Sequence, residues 1–228
     1  MAIAVIGAGM AGLSAARALA AQGKRVLVFD KGRGPGGRMS TRRAETPIGQ
    51  MRFDHGAQFF TARDEAFRAE VDGWIEAGAV AQWEGVFKRI DIGSDGSLVA
   101  SGENSDERQH LVGTPTMNAV IRHMSDGLDV SWGRRVSGVS GGAGDLWLTF
   151  EDGAREGAFE AVVVAVPAEQ ASELLEKTSP TAARAAAASG SAPCWAVMAA
   201  FEAPVDLSFD GARVSGSPLA WIARLVSG

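Results

Sequence analysis

Three glycines near the N-terminus constrain this chain more than any other feature. They are Gly7, Gly9 and Gly12 in the run GAGMAG. Residues 2–6, AIAVI, are a short apolar run of the kind a buried parallel strand needs. The first glycine permits a tight turn out of that strand. The second lets the backbone come close to a pyrophosphate, and the third lets the following helix pack closely on the sheet. The helix reads LSAARALAAQG, with Gly23 as its stop. Its N-terminal amides and dipole make an anion site. A second strand, RVLVFD, ends in Asp30, 18 residues after Gly12, where a ribose-binding carboxylate belongs. Strand, glycines, helix, strand and acid occur in order, which predicts a dinucleotide-binding βαβ unit.

The next residues narrow the dinucleotide. After Asp30 come five residues and then Gly36-Gly37-Arg38. A nicotinamide dehydrogenase usually passes from the acid into an ordinary loop and helix. Paired glycines allow close backbone approach, and arginine donates planar paired hydrogen bonds to phosphate. The arrangement resembles the extension found in glutathione-reductase-like flavoproteins of the amine oxidase type. That resemblance implies FAD as cofactor.

Further stretches resemble renalase and its bacterial relatives: GRMSTRR (37–43), FDHGAQFFTAR (53–63), LVGTPTMNAVIRHM (111–124), EAVVVAVPAEQASELL (160–175), CWAVMAAFEAPV (194–205) and SPLAWIAR (217–224). The resemblance implies an α/β fold. A Rossmann-like FAD-binding domain, residues 1–63 and 126–190, would be interleaved with an α+β substrate domain on an antiparallel sheet, residues 64–125 and 191–228. It implies that Gly7, Gly9, Ala11, Gly12, Gly37, Arg38 and Met39 surround the diphosphate. Asp30, with Lys31 adjacent, would hold the adenosine ribose, and Val136 would meet the adenine. His55, Gly56, Ala57, Gln58 and Phe59 would lie near the flavin ring. The implied reaction oxidises 2- and 6-dihydro isomers of NAD(P)H to NAD(P)+, with oxygen as the electron acceptor and hydrogen peroxide as product. Relatives continue past the segment at 217–224, so the substrate domain is expected to be incomplete, with an exposed edge that a homodimer would cover. Two alternatives stay open: an amine-oxidase-like flavoenzyme with another substrate, and a non-catalytic FAD- or NAD-binding protein.

Hydride transfer between a dihydropyridine and a flavin needs alignment more than proton transfer, and the sequence holds no catalytic triad. His55 is the one candidate catalytic residue; bonding loop backbone is its other reading. His110 lies in a polar stretch and is expected to be solvent-exposed. His123 falls on a predicted helix as a surface or packing residue. Of six tryptophans, Trp195 and Trp221 are candidate substrate-lining residues and most of the rest read as core and domain-interface residues.

The net charge of −5 argues against nucleic acid or an anionic membrane as partner. The local cluster Arg33, Arg38, Arg42 and Arg43 fits one small phosphorylated ligand instead. The lone cysteine, Cys194, excludes an internal disulfide, and it reads as a small buried hydrophobe beside Trp195. No Cys/His spacing suggests a metal. No signal peptide and no apolar stretch of ~18 residues is present, so a cytoplasmic protein is expected.

Elsewhere the pattern predicts a helix over 64–79, a polar loop over 101–109, strands within 128–166 with a hairpin turn at 140–145, and an alanine-rich helix over 182–189.

Overall fold

The computed structural model describes residues 1–103 and 109–224. The chain forms two compact units, one from residues 1–40 and 118–196, the other from 41–117 and 197–228. The crossings therefore fall at 40/41, 117/118 and 196/197, rather than at the boundaries expected from sequence. Local pairing accounts for the first two: residues 41–54 pair with themselves as a hairpin, and the helix after residue 117 packs on the first helix of the chain.

The first unit is built on strands β1 (Ala2–Ile6), β2 (Val26–Asp30), β9 (Asp129–Trp132), β10 (Val136–Gly142), β11 (Asp145–Phe150) and β12 (Arg155–Val164). They form one sheet in the order β10-β11-β12-β1-β2-β9. The run β12-β1-β2-β9 is parallel, and β10, β11 and β12 form an antiparallel meander. β1 lies between two partners, with Ile3 to Ile6 buried, which is why it reads as a continuous apolar run. Helix α1 (Met10–Ala21) buries Leu13 and Ala16. Helix α3 (Asn118–Ser125) packs against α1 and buries Val120, Ile121 and Met124. Arg17 of α1 donates from Nε to the Met124 carbonyl at 3.0 Å and from Nη2 to that of His123 at 3.2 Å. These carbonyls belong to the last turn of α3, where a cation also meets the helix dipole favourably. Helices α4 (Ala168–Leu175) and α5 (Pro180–Ala187) pack on each other. Phe29 anchors the apolar core, its ring 5.3 Å from Phe150 and 6.1 Å from Phe159.

The second unit contains the hairpin β3 (Thr41–Thr46) and β4 (Gly49–Asp54), helix α2 (Glu65–Glu76), and the pair β5 (Val80–Gln82) and β8 (Leu111–Gly113). Strands β6 (Phe87–Ile92), β7 (Leu98–Glu103), β13 (Gly211–Ser215) and β14 (Trp221–Ala223) form a sheet in the order β14-β13-β6-β7. Neighbours pair antiparallel except β6 and β13, which are parallel and far apart in the chain. Asp64 caps α2 by accepting from the Phe67 amide at 3.0 Å. α2 ends earlier than its apolar pattern suggests, because Gly78 adopts φ +72° and its amide turns back to Ile75.

Three local expectations are corrected. Residues 101–103 continue β7 instead of opening a loop, since they pair with Lys88–Ile90; the rest of that predicted loop, 104–108, lies outside the described residues. His110 is 5% exposed, because it leads into β8 and its ring packs between Phe59 and Phe87. Cys194 is exposed, in a segment without regular structure. Among the described residues no helix is long and apolar enough to cross a membrane, and no group of three His, Cys, Asp or Glu residues is placed to hold a metal ion.

Candidate cofactor site

A cleft of about 630 Å³ opens in the first unit where β1 runs into α1. Its shape follows from the glycines. Gly7 leaves β1 at φ +105°, and a Cβ there would lie 2.6 Å from the Ala165 carbonyl oxygen. Gly9 is different: a Cβ there would meet nothing within 4 Å. Its hydrogens face open space. Gly9 is the N-cap of α1, no side chain caps that end, and the first turn carries no acid. The helix therefore presents uncapped amides and its positive pole beside Gly9, Met10 and Ala11, which all line the cleft.

The second glycine motif meets the first. Gly37 has φ +62°, and a Cβ on it would sit 3.7 Å from the Gly9 Cα. It starts a single 3-10 turn, Gly37–Met39, that carries Arg38 to the cleft and buries the Met39 side chain. Asp30, at the end of β2, is held by backbone on both oxygens. Oδ2 accepts from the Ala8 amide at 2.7 Å and Oδ1 from Gly32 at 2.6 Å. Lys31 donates from Nζ to Oε1 of Gln170, another lining residue, at 2.8 Å. The Arg134 amide donates to the Asp30 carbonyl at 2.8 Å and brings β10 alongside, so Val136 lines the same wall.

Gly7, Gly9, Ala11, Asp30, Lys31, Gly37, Arg38, Met39 and Val136 thus line one cleft. Gly12 is not on its surface; it packs beneath, against Gly7. Of the four arginines read as a cluster, only Arg38 lines the cleft, while Arg42 and Arg43 are exposed on β3. Sequence reasoning missed Arg134 and Arg135, which line it next to Val136. The Arg134 guanidinium lies 3.8 Å from the Phe150 ring centroid and within 3.6 Å of Asp152 and 3.7 Å of Glu156. The paired arginines before Val136 were the available signal. The residues fit a dinucleotide: uncapped amides and Arg38 for a diphosphate, open space at Gly9 for its close approach, and a fixed carboxylate for ribose hydroxyls.

His55, Gly56, Ala57, Gln58 and Phe59 follow β4 in the second unit. Asp54 anchors the start of this loop, accepting from the Met117 amide at 3.2 Å on each oxygen and from the Thr41 hydroxyl at 2.5 Å. Phe59 sits in an aromatic cluster, its ring 4.5 Å from His110, 5.1 Å from Trp221 and 6.3 Å from Trp83. His110 stacks on Phe87 at 4.2 Å. Trp221 is therefore packed, whereas Trp195 is 92% exposed. Beside this cluster, Asp210 accepts from the Val86 amide at 2.9 Å and from Arg224 at 2.5 Å. The Val86 hydrogen bond, and then Arg224, hold its carboxyl below the usual aspartate value.

Residues 5–72 match the model of the NAD(P)-binding Rossmann-like domain, and residues 79–224 match that of the flavin containing amine oxidoreductases. Among solved structures, a putrescine oxidase double mutant with redesigned cofactor binding is similar over 76% of this chain and 59% of its own, at 14% identity and a TM-score of 0.54. A tetracycline destructase matches over 72% of this chain and 38% of its own, at 16% identity and TM-score 0.48. The 2,6-dihydroxypyridine-3-hydroxylase of Arthrobacter nicotinovorans matches over 68% and 34%, at 15% identity and TM-score 0.45. The chain thus spans 34% to 59% of the length of these structures. The putrescine oxidase likeness shows a shared fold. The second family match covers more than half of the chain, which belongs to the flavin containing amine oxidoreductases, a family whose cofactor is FAD.

Proposed function

We propose that this chain acts as an FAD-dependent oxidoreductase of the renalase type, oxidising dihydronicotinamide dinucleotide isomers. The observation that carries the cofactor assignment is the convergence of Gly9, the open end of α1, Arg38 and Asp30 on one cleft. The narrower substrate rests on the resemblance of residues 53–63 to renalase.

Each residue then has a defined task. The amides of Met10 and Ala11 and the Arg38 guanidinium bind the diphosphate. Asp30 accepts from ribose hydroxyls; its two backbone bonds fix its rotamer and leave lone pairs on both oxygens. Val136 gives the adenine an apolar contact. FAD held by these residues would supply the redox chemistry, a two-electron oxidation of the dihydropyridine with oxygen as the final acceptor. Phe59, His110, Trp83 and Trp221 gather flat, apolar surface in the second unit. No residue needs to move a proton from the substrate, because the pyridinium product forms by loss of hydride alone.

Mixing FAD-loaded protein anaerobically with 6-dihydroNAD tests the reading. Rapid bleaching of the visible flavin bands, and one peroxide per substrate once air is admitted, are expected. A flavin that stays oxidised would overturn the reading. A second reading, oxidation of an amine, is supported by the match of residues 79–224 to the amine oxidoreductase family; bleaching by amines alone would favour it.

A further inference from the structure

The Asp30 carboxylate is held in place by a second segment of the first unit, the two residues that lead into β10. The Gly133 amide donates to the Gly32 carbonyl at 2.7 Å, and the Arg134 amide donates to the Asp30 carbonyl at 2.8 Å. The Gly32 amide in turn donates to Oδ1 of Asp30 at 2.6 Å. Residues 133–134 thus strap down both ends of the segment Asp30–Gly32, and that segment holds the carboxylate oxygen. The strap is anchored by the Arg134 side chain. Its guanidinium lies 3.8 Å from the ring centroid of Phe150, with Nη1 3.6 Å from Asp152 Oδ2 and Nη2 3.7 Å from Glu156 Oε2. Phe150 is buried, and its ring packs at 5.3 Å on Phe29, the residue before Asp30. We infer that Arg134 is a positioning residue for the cofactor: it aims the Asp30 carboxylate at the adenosine ribose and does not itself bind the phosphates. This rests on the FAD reading above and deepens it.

Arg134 lines the cleft, as Arg38 does, but its guanidinium is already engaged. It has an aromatic ring beside it and a carboxylate near each terminal nitrogen. Its charge is met inside the protein, which makes it a poor phosphate ligand. Arginine suits the anchor because a planar, delocalised cation stacks on a ring and pairs in two directions at once, which a point charge on a flexible stem does not. Each ion pair is partly exposed and weak alone. Three contacts on one group restrict its rotamers, and the backbone amide it carries is restricted with them. Asp152 and Glu156 are not among the residues lining the cleft. The anchor can therefore be cut without altering a surface that the ligand meets.

Calorimetric binding of ADP and 2′,3′-dideoxyADP to the full chain, freed of flavin, isolates the ribose hydroxyls. Wild type is expected to bind ADP roughly tenfold more tightly than the dideoxy nucleotide, as hydrogen bonds to a charged acceptor require. Arg134→Ala should bring that ratio to about threefold or less while leaving the dideoxyADP affinity within about twofold of wild type. Glu156→Gln, which cuts the anchor outside the cleft, should lower the ratio in the same direction, and it decides the matter should the alanine variant fold poorly. A residue that merely supports the fold, or one that touches the phosphates, would weaken both nucleotides equally. That result overturns the inference, and so does a wild-type ratio kept by both variants; in either case a wild type that prefers ADP leaves the FAD reading standing. If wild type binds neither nucleotide, or binds both alike, the ribose role of Asp30 fails and the inference falls with it.

Discussion

A Cβ placed on Gly12 would lie 1.8 Å from the carbonyl oxygen of Gly7. The first turn of α1 and the turn out of β1 are pressed together backbone to backbone, and the obstacle is a carbonyl rather than a flexible side chain. Gly12→Ala must therefore move the helix. It is expected to cost about 1–3 kcal/mol, as overpacking does, seen as a lower denaturation midpoint even without FAD.

Gly9→Ala should separate folding from binding. Gly9 has φ −84° and ψ −177°, which alanine adopts freely, and its Cβ would touch no protein atom within 4 Å. The apoprotein melting temperature is expected to stay at the wild-type value. FAD affinity should fall roughly tenfold or more, because the methyl group occupies the space of the diphosphate. Unaltered FAD binding in a flavin fluorescence titration would refute the placement.

Asp30→Asn replaces one of the two carboxylate oxygens that accept from backbone amides with an NH2 donor. The contacts at risk are those from Ala8 at 2.7 Å and Gly32 at 2.6 Å. The cost should be about 1–2 kcal/mol of stability, together with weaker FAD binding. Adding FAD should restore less stability than it adds to wild type, measured as the shift in melting temperature.

Stability should depend on pH through Asp210. Its carboxyl is held below the ordinary value of 3.8, first by the Val86 amide and then by Arg224. A lowered folded value means the unfolded chain binds the proton more readily. The contribution is thus full above about pH 4 and fades as pH falls through the folded value. Asp210→Asn should flatten this acid limb and lower stability at neutral pH by about 1–2 kcal/mol. Denaturant midpoints across the acid range check both.

Arg17→Ala should loosen α3. It removes the donors to the Met124 and His123 carbonyls, at 3.0 and 3.2 Å. A loss of about 1 kcal/mol is expected, with faster amide exchange in α3 than in β1.

The cleft was legible because its parts are close in the chain. Gly7, Gly9, Gly12, Asp30 and Gly36-Gly37-Arg38 lie within 32 residues, and at Gly7, Gly12 and Gly36 a Cβ would strike a neighbouring atom. Alternation and apolar runs likewise located β1, β2 and the strands from Asp129 to Val164, since burial on a sheet sets the pattern directly.

His110 shows where local reading ends. The polar residues before it suggested exposure, yet Phe59 from 51 positions away and Phe87 from 23 bury its ring. Cys194 errs the other way, apolar in its neighbours and exposed in the structure. Asp210 acquires its lowered pKa from Val86, 124 residues distant. The glycine loop between β1 and α1 was dictated by residue types alone, because glycine and helix-end geometry act within a few bonds. The aromatic cluster and the cation at the end of α3 were decided by tertiary structure, because burial and hydrogen bonding depend on which distant segments meet.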